Sequence, residues 1–217
     1  MNALLLSLAL LAPQDDTYAL RWVPKKGDVH SFQYTRNLTD GRNTRDHRVL
    51  LTWEVNMAIP EGFQIISSTS GVIRIGNQTN KQDIADQQRQ IEFSPDGKMG
   101  RILRGDMSPE SYKHERLLHF KSPDKPVKVG ERWKFSWLPH STNRTPATDI
   151  NYRLVKVANG VATVEFTYKE HSVTSPQSAN GRWLIDVKTG VPREMTCSVR
   201  GFVGNPALSG DIELQRT

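Results

Sequence analysis

The strongest signal in the chain is a period-two alternation of apolar and polar residues. Between positions 49 and 59 the odd residues are Val49, Leu51, Trp53, Val55, Met57 and Ile59, with Thr52, Glu54 and Asn56 between them. Successive side chains of an extended strand point to opposite faces, so this run predicts a long half-buried strand. The alternation returns at Phe63 and Ile65, at Ile73 and Ile75, at Trp133, Phe135 and Trp137, and at Ile150, Tyr152 and Leu154. It continues at Val164, Phe166 and Tyr168, at Trp183, Ile185 and Val187, and at Met195, Cys197 and Val199. Turn signals punctuate these runs: Pro60-Glu61-Gly62, Pro95-Asp96-Gly97, Asn159-Gly160, Asn180-Gly181 and Thr189-Gly190. Asn-Gly between two alternating runs is the strongest hairpin mark of the set. Successive strands joined by short turns predict an antiparallel meander.

One segment breaks the pattern. Ser108 can cap a helix, Pro109 suits its first position, Glu110 favours its N-terminus, and Tyr112 to Phe120 lacks strict alternation. Ser122-Pro123 and Pro126 then stop it. The prediction is a helix over 109–120, almost midway along the chain. On either side the sequence echoes itself. Lys26-Gly27-Asp28 precedes Phe32 and Tyr34 as Val129-Gly130-Glu131 precedes Trp133 and Phe135, and Ile91 to Gly97 parallels Ile185 to Gly190. The expected fold is mainly β: a curved antiparallel sheet, or sheets, in two pseudo-repeated halves, 15–107 and 123–217, with one main linking helix at 108–122.

The N-terminus adds a compartment. Met1 to Ala12 (MNALLLSLALLA) is an apolar run that ends in small residues and turns polar at Gln14-Asp15-Asp16, the form of a signal peptide, here placed at 1–14. Lipid anchoring would need a Cys just after that run, and the sole Cys is Cys197. The expected location is extracytoplasmic, periplasmic or secreted. A Gly-Asp or Gly-Glu strand opener, a helix between β-rich halves, and the run Gly181 to Thr196 (GRWLIDVKTGVPREMT) together resemble uncharacterised secreted bacterial β proteins. More distantly they are similar to the lipoprotein-carrier architecture, which implies a curved antiparallel sheet wrapped around a helix. The resemblance is one of strand pattern and assigns no functional residue.

Composition narrows the chemistry. Of 217 residues 36% are apolar, and mean hydropathy is −0.55; five Trp, seven Phe and five Tyr nevertheless supply core material that a disordered chain lacks. A single Cys excludes an intramolecular disulfide framework and a multi-Cys zinc site. His114 and His119 are five apart and would point about 140° apart on a helix, whereas a zinc-protease helix sets two His four apart on one face. They read as polar positions on a partly exposed helix. No Gly-x-Ser-x-Gly elbow occurs, and Cys197 shares parity with Met195 and Val199, which makes it a buried, inert thiol. Glu54, Asp149, Glu165 and Asp186 read as exposed polar-face acids. No catalytic residue, metal site or cofactor is assigned.

Net charge is +6, from 29 Lys and Arg against 23 Asp and Glu. Arg42, Arg45, His47 and Arg48 cluster after Gly41, and Lys121, Lys125, Lys128, Arg132 and Lys134 follow the helix. With acids interspersed, these read as solvated surface, leaving contact with a membrane surface open. The rings in Trp133-Lys134-Phe135-Ser136-Trp137 share one face and read as core; no nucleic-acid partner is expected. The expected function is a non-enzymatic protein that binds or carries a lipid, another apolar or amphipathic molecule, or an envelope protein. Trp53, Met57, Trp133 and Trp183 are the candidate ligand-lining residues. The alternatives are a structural or protein-interaction module without ligand and, third, a hydrolase.

Overall fold

A computed structural model describes residues 16–75, 78–83, 87–141, 144–171, 176–202 and 205–217, with backbone alone for 72–75, 78–83 and 87. The signal-peptide segment, 1–14, lies outside the described residues. The elements are β1 (Val29–Thr39), β2 (Thr44–Ile59), β3 (Gly62–Ile75), β4 (Gln78–Asp83), β5 (Gln87–Phe93), β6 (Met99–Arg104) and α1 (Pro109–Leu118). They continue with β7 (Arg132–Trp137), β8 (Thr148–Ala158), β9 (Val161–Glu170), β10 (Ser178–Asp186), β11 (Pro192–Arg200) and β12 (Ser209–Arg216). The mainly β class and the single main helix are as the alternation predicts.

Every pairing is antiparallel, and eleven strands follow one path, β6-β5-β3-β2-β1-β12-β11-β10-β9-β8-β7, with β4 attached to β3 off that path. Two meanders therefore meet at a β1–β12 seam, where Phe32 faces Arg216 and Thr39 faces Ser209. Residues 15–107 and 123–217 supply strands to one continuous sheet, and α1 connects its two outermost strands, β6 and β7.

The sheet is strongly curved. Laid flat, ten strand spacings would separate β6 from β7 by roughly 48 Å. Instead the Trp137 indole Nε1 of β7 donates to the Met99 carbonyl of β6 at 3.2 Å. Among the described residues no backbone ladder joins these two strands, so the sheet curls into an unclosed trough. Its inner face carries the apolar parity of each strand: Phe32, Tyr34, Leu51, Trp53, Val55, Ile91, Phe93, Tyr152, Phe166, Trp183, Met195 and Leu214 are all buried.

Two local devices recur. The Gly27 amide donates to Val55 O at 2.8 Å and the Val55 amide to Asp28 O at 2.9 Å; the Gly130 amide donates to Leu154 O at 2.7 Å and the Leu154 amide to Glu131 O at 3.0 Å. Each turn needs a left-handed residue, and Gly27 (φ 91°) and Gly130 (φ 93°) supply it. Beside each turn the partner strand is bulged, β2 between Val55 and Met57 and β8 between Leu154 and Lys156. A bulge reverses the parity of everything beyond it. Hence Ala58 packs on the core, whereas Ile59, expected on the apolar face, is half exposed. The Asn159-Gly160 hairpin forms as expected, with φ of 51° and 73°, the left-handed pair that a two-residue hairpin turn requires.

The helix differs from expectation in its surroundings. Ser108 caps it, its Oγ accepting from the Ser111 amide at 3.3 Å, and Pro109 opens it. It is not partly exposed. Ser111, Tyr112, Lys113, Glu115, Arg116, Leu117 and Leu118 are all buried, because the helix lies inside the trough.

Candidate functional site

The interior of the trough is the candidate site, and α1 occupies it. Four consecutive ionisable residues, Lys113-His114-Glu115-Arg116, enter a space whose walls are largely apolar. Isolated charges there would be prohibitive, and each finds a partner far along the chain. Lys113 Nζ lies 3.2 Å from the Glu170 carboxylate, which also accepts from the Gln177 amide at 2.9 Å and from the Tyr168 hydroxyl at 3.3 Å. Glu115 accepts from Arg89 at 3.1 Å and pairs with the His119 ring at 3.1 Å. Burial alone would push the Glu115 carboxyl up, but the His119 hydrogen bond and the charges of His119, His114 and Arg89 hold it below its usual range. Arg116 donates to Thr145 at 3.2 Å and lies over the Trp137 ring, 5.2 Å from its centroid.

Beyond the helix, His119-Phe120-Lys121 runs into a ring-lined end of the trough. Three of the four candidate ligand residues converge on this tripeptide. The Trp53 ring lies 4.5 Å from His119 and 4.4 Å from Phe32. Trp183, wholly buried, lies 6.0 Å from Phe120. Trp133 stacks on Tyr152 at 5.2 Å and donates to the Lys121 carbonyl at 3.3 Å. Met57 does not join them, because the β2 bulge takes it out of the parity of Trp53. A cavity of about 30 Å³ remains, bordered by Trp22, Trp53, Phe63, Phe93, His119 and Phe120. That is room for a water or two and no larger molecule. The end is closed by the segment before β1: Tyr18 bridges Val127, Leu20 is fully buried, and Trp22 packs edge-on against Phe63 at 5.3 Å. A Cβ at Gly190 would sit 2.1 Å from the Arg21 carbonyl carbon, so that glycine lets the segment approach.

The opposite end is basic, and the sequence reading placed Arg45 and His47 of it on the surface and passed over Arg36. Arg45 and His47 share parity with Val49 and Leu51 and face inward, while Arg42 and Arg48 are exposed. Arg36 faces inward from β1, opposite His47. Its Nη2 lies 2.8 Å from the His47 ring nitrogens, and its guanidinium stands 5.0 Å from the centre of the Phe202 ring. Burial first, then Arg36 and Arg45, lowers the His47 pKa to about 4. Nearby, the Tyr34 hydroxyl lies 3.0 Å from His114 Nε2. His114 is lowered to about 3, chiefly by burial. Lys121, also read as solvated surface, is buried, held by Asp96 and by Asp124 at 3.2 Å.

Other groupings carry less. Ser136 donates to Asp149 at 2.6 Å, and His171 and Lys134 each lie 2.9 Å from the same carboxylate. A hydrolytic relay puts the imidazole between hydroxyl and carboxylate; here the carboxylate stands between the other two, and its pKa is depressed by those hydrogen bonds. Among the described residues no three His, Cys, Asp or Glu side chains come together to hold a metal. Cys197 is buried, and burial pushes its thiol up to about 12. A depression of about 990 Å³ lies across the β8–β12 region, lined by the outward-facing Asn151, Thr167, Asn180, Ser198 and Asp211 together with Tyr168, Glu170, Gln177, Ala179 and Val199. Comparison with protein-family models, with characterised proteins and with solved structures finds no match.

Proposed function

We propose that the protein is an extracytoplasmic, non-enzymatic carrier in which α1 is an exchangeable plug, giving way to a lipid or another apolar or amphipathic molecule. The observation that carries this reading is a polar helix in an apolar trough. A buried ion pair roughly breaks even against well-packed apolar side chains of the same volume. Lys113–Glu170 and Glu115–Arg89 therefore hold α1 in register without making it the best occupant of the trough. An apolar occupant gains about 25 cal/mol for each Å² it covers and the released charges of α1 regain water, while Glu170 and Arg89, which stay on the sheet, need the polar end of an amphiphile or entering water in place of Lys113 and Glu115. The unclosed seam between β6 and β7, to which both ends of the α1 connection are tied, gives the helix a route out. An envelope partner or a membrane surface would supply or accept the cargo.

The test is a titration of the full chain with an apolar fluorescent dye, beside Leu118→Ala, which removes a buried anchor of the plug. The carrier reading expects dye binding by the wild type and tighter binding by the variant. No binding by either, and no lipid on protein purified from its own host in native mass spectrometry, would remove it. The alternative reading, a ligand-free interaction module, is favoured by one observation, the close packing of the ring-lined end around its 30 Å³ cavity.

A further inference from the structure

We propose that Arg36 and Arg45 form an interior anion site that takes the phosphate or carboxylate head group of a single-chain amphiphile. The placement of the chain rests on the carrier reading; the head-group site stands on observations of its own. Arg36 faces His47 across the β1–β2 ladder, and Arg45 lies two residues from His47 on the same face. The two arginines are thus diagonal neighbours, roughly 7–8 Å apart at the backbone, and both guanidinium forks can reach one anion.

No described carboxylate lies within ion-pair distance of either; the acid whose charge reaches Arg45 is Asp40, in the β1–β2 turn. Asp46, between Arg45 and His47 in sequence, is exposed on the outer face, and Glu115 is taken by Arg89 and His119. Where a buried arginine would ordinarily meet an acid, Arg36 meets an imidazole. A nitrogen that accepts from a guanidinium carries no proton and offsets no charge. The Nε atoms of Arg36, Arg45 and Arg89 are all buried without a hydrogen-bond partner. A guanidinium is the side chain best suited to fork onto a carboxylate or phosphate, and the Nε donors of Arg36 and Arg45, on adjacent strands of one face, form an incomplete coordination shell; Arg89, opposite Ser67 and held by Glu115, is not part of it. The spacing also suits an amphiphile. From His47 to Trp53 the strand runs roughly 20 Å, so an extended acyl chain whose head lies at Arg36 reaches the three Trp rings.

Isothermal titration of the full chain with dodecyl phosphate, dodecanoate, uncharged dodecyl maltoside and inorganic phosphate decides the matter. It is run on the wild type, on Arg36→Gln/Arg45→Gln, and on Arg42→Gln/Arg48→Gln, which removes the same charge from exposed positions. The proposal expects the anionic amphiphiles to bind at least about tenfold more tightly than the maltoside. That preference, about one charge-assisted hydrogen bond in size, is lost in the inward pair and kept in the outward pair. The tighter of the phosphate and carboxylate names the head group. Equal binding of charged and uncharged amphiphiles, or a preference that survives Arg36→Gln/Arg45→Gln, overturns the anion site and leaves the carrier reading in place. Binding of inorganic phosphate that depends on the inward pair, with no amphiphile bound, keeps the site and removes the carrier; no binding of any probe overturns both. Should the inward pair fail to fold, Arg36→Lys/Arg45→Lys decides instead: it keeps both charges and loses both forks, so the preference should fall, and a preference left intact overturns the site.

Discussion

At the ring-lined end of the trough, alternate residues of each strand place Trp53, Phe63, Phe93 and Trp183 against one another and against His119-Phe120. At the other end β2, six and eight residues before Trp53, places His47 and Arg45 on that same inner face, with Arg36 of β1 opposite His47. One end is finished: its rings are in contact and its mouth is covered by the segment through Trp22. Both ends hold buried donors without a hydrogen-bond partner, but those of the ring-lined end are the neutral indole N–H groups of Trp53 and Trp183, whereas those of the other end belong to the charged guanidinium groups of Arg36 and Arg45. β2 runs through both ends, so along that strand the difference lies in the side chains: packed rings at one end, charge at the other.

The contrast can be broken most sharply by truncation. Trp183→Ala is expected to cost about 3–5 kcal/mol in chemical denaturation, because transfer energy and an unfilled cavity add; a loss below about 1 kcal/mol would mean the ring-lined end is not the stabilising one. Glu115→Ala comes next, at about 3 kcal/mol, since it leaves Arg89 and His119 buried without their acid.

Acid should act on the basic end through its histidines. His47 and His114 have folded pKa values near 4 and 3 against an ordinary 6.5. Between those limits the unfolded chain binds more protons than the folded one, so stability falls as pH drops from about 6.5 towards 4. The groups facing them are Arg36, Arg45, Arg89, Tyr34 and Glu115, and the three arginines oppose protonation. A series of melts over this range should slope less steeply in His47→Gln/His114→Gln than in the wild type, and an unchanged slope would locate the acid sensitivity elsewhere.

The smallest effect sharpens the comparison most. Arg45→Met replaces a part-buried charge, whose Nε has no hydrogen-bond partner, by an apolar side chain and is expected to leave stability unchanged or raise it by up to about 1 kcal/mol. A loss as large as that of Trp183→Ala would make the two ends alike.

Much of this architecture was legible in the chain and some was not, for reasons that can be traced to single residues. Parity marked the inner face of β2 and of β7 to β11. It also held the basic end: carried back from Val49, the odd positions pass through His47 and Arg45, and carried forward from Phe32 and Tyr34, the even positions pass through Arg36. Arg45 and His47 were assigned to the surface by their charge, because charged residues are seldom buried without partners, and Arg36 was not singled out at all. The partners of α1 are what sequence hides. Arg89 and Glu170 lie on β5 and β9, and nothing local to Lys113-His114-Glu115-Arg116 points to them. β12 escaped because Ser209 to Arg216 offers only Ile212 and Leu214 as an apolar pair, too short an alternation to stand out. The bulge in β2 reversed a parity that had looked continuous through Met57 and Ile59.

The β1–β12 seam has a consequence for the order in which the molecule can be made. β1 is the first of these strands to leave the ribosome and β12 the last, yet they are neighbours in the middle of the sheet, and the Thr217 amide closes onto the Ser31 carbonyl at 3.0 Å. Until β12 arrives, β1 presents an open edge. An open edge on a nascent strand invites pairing with another chain, and contacts between distant parts of a chain form slowly because a long loop must close first. The middle of the sheet is thus the last part that can be joined, after every other strand has been made.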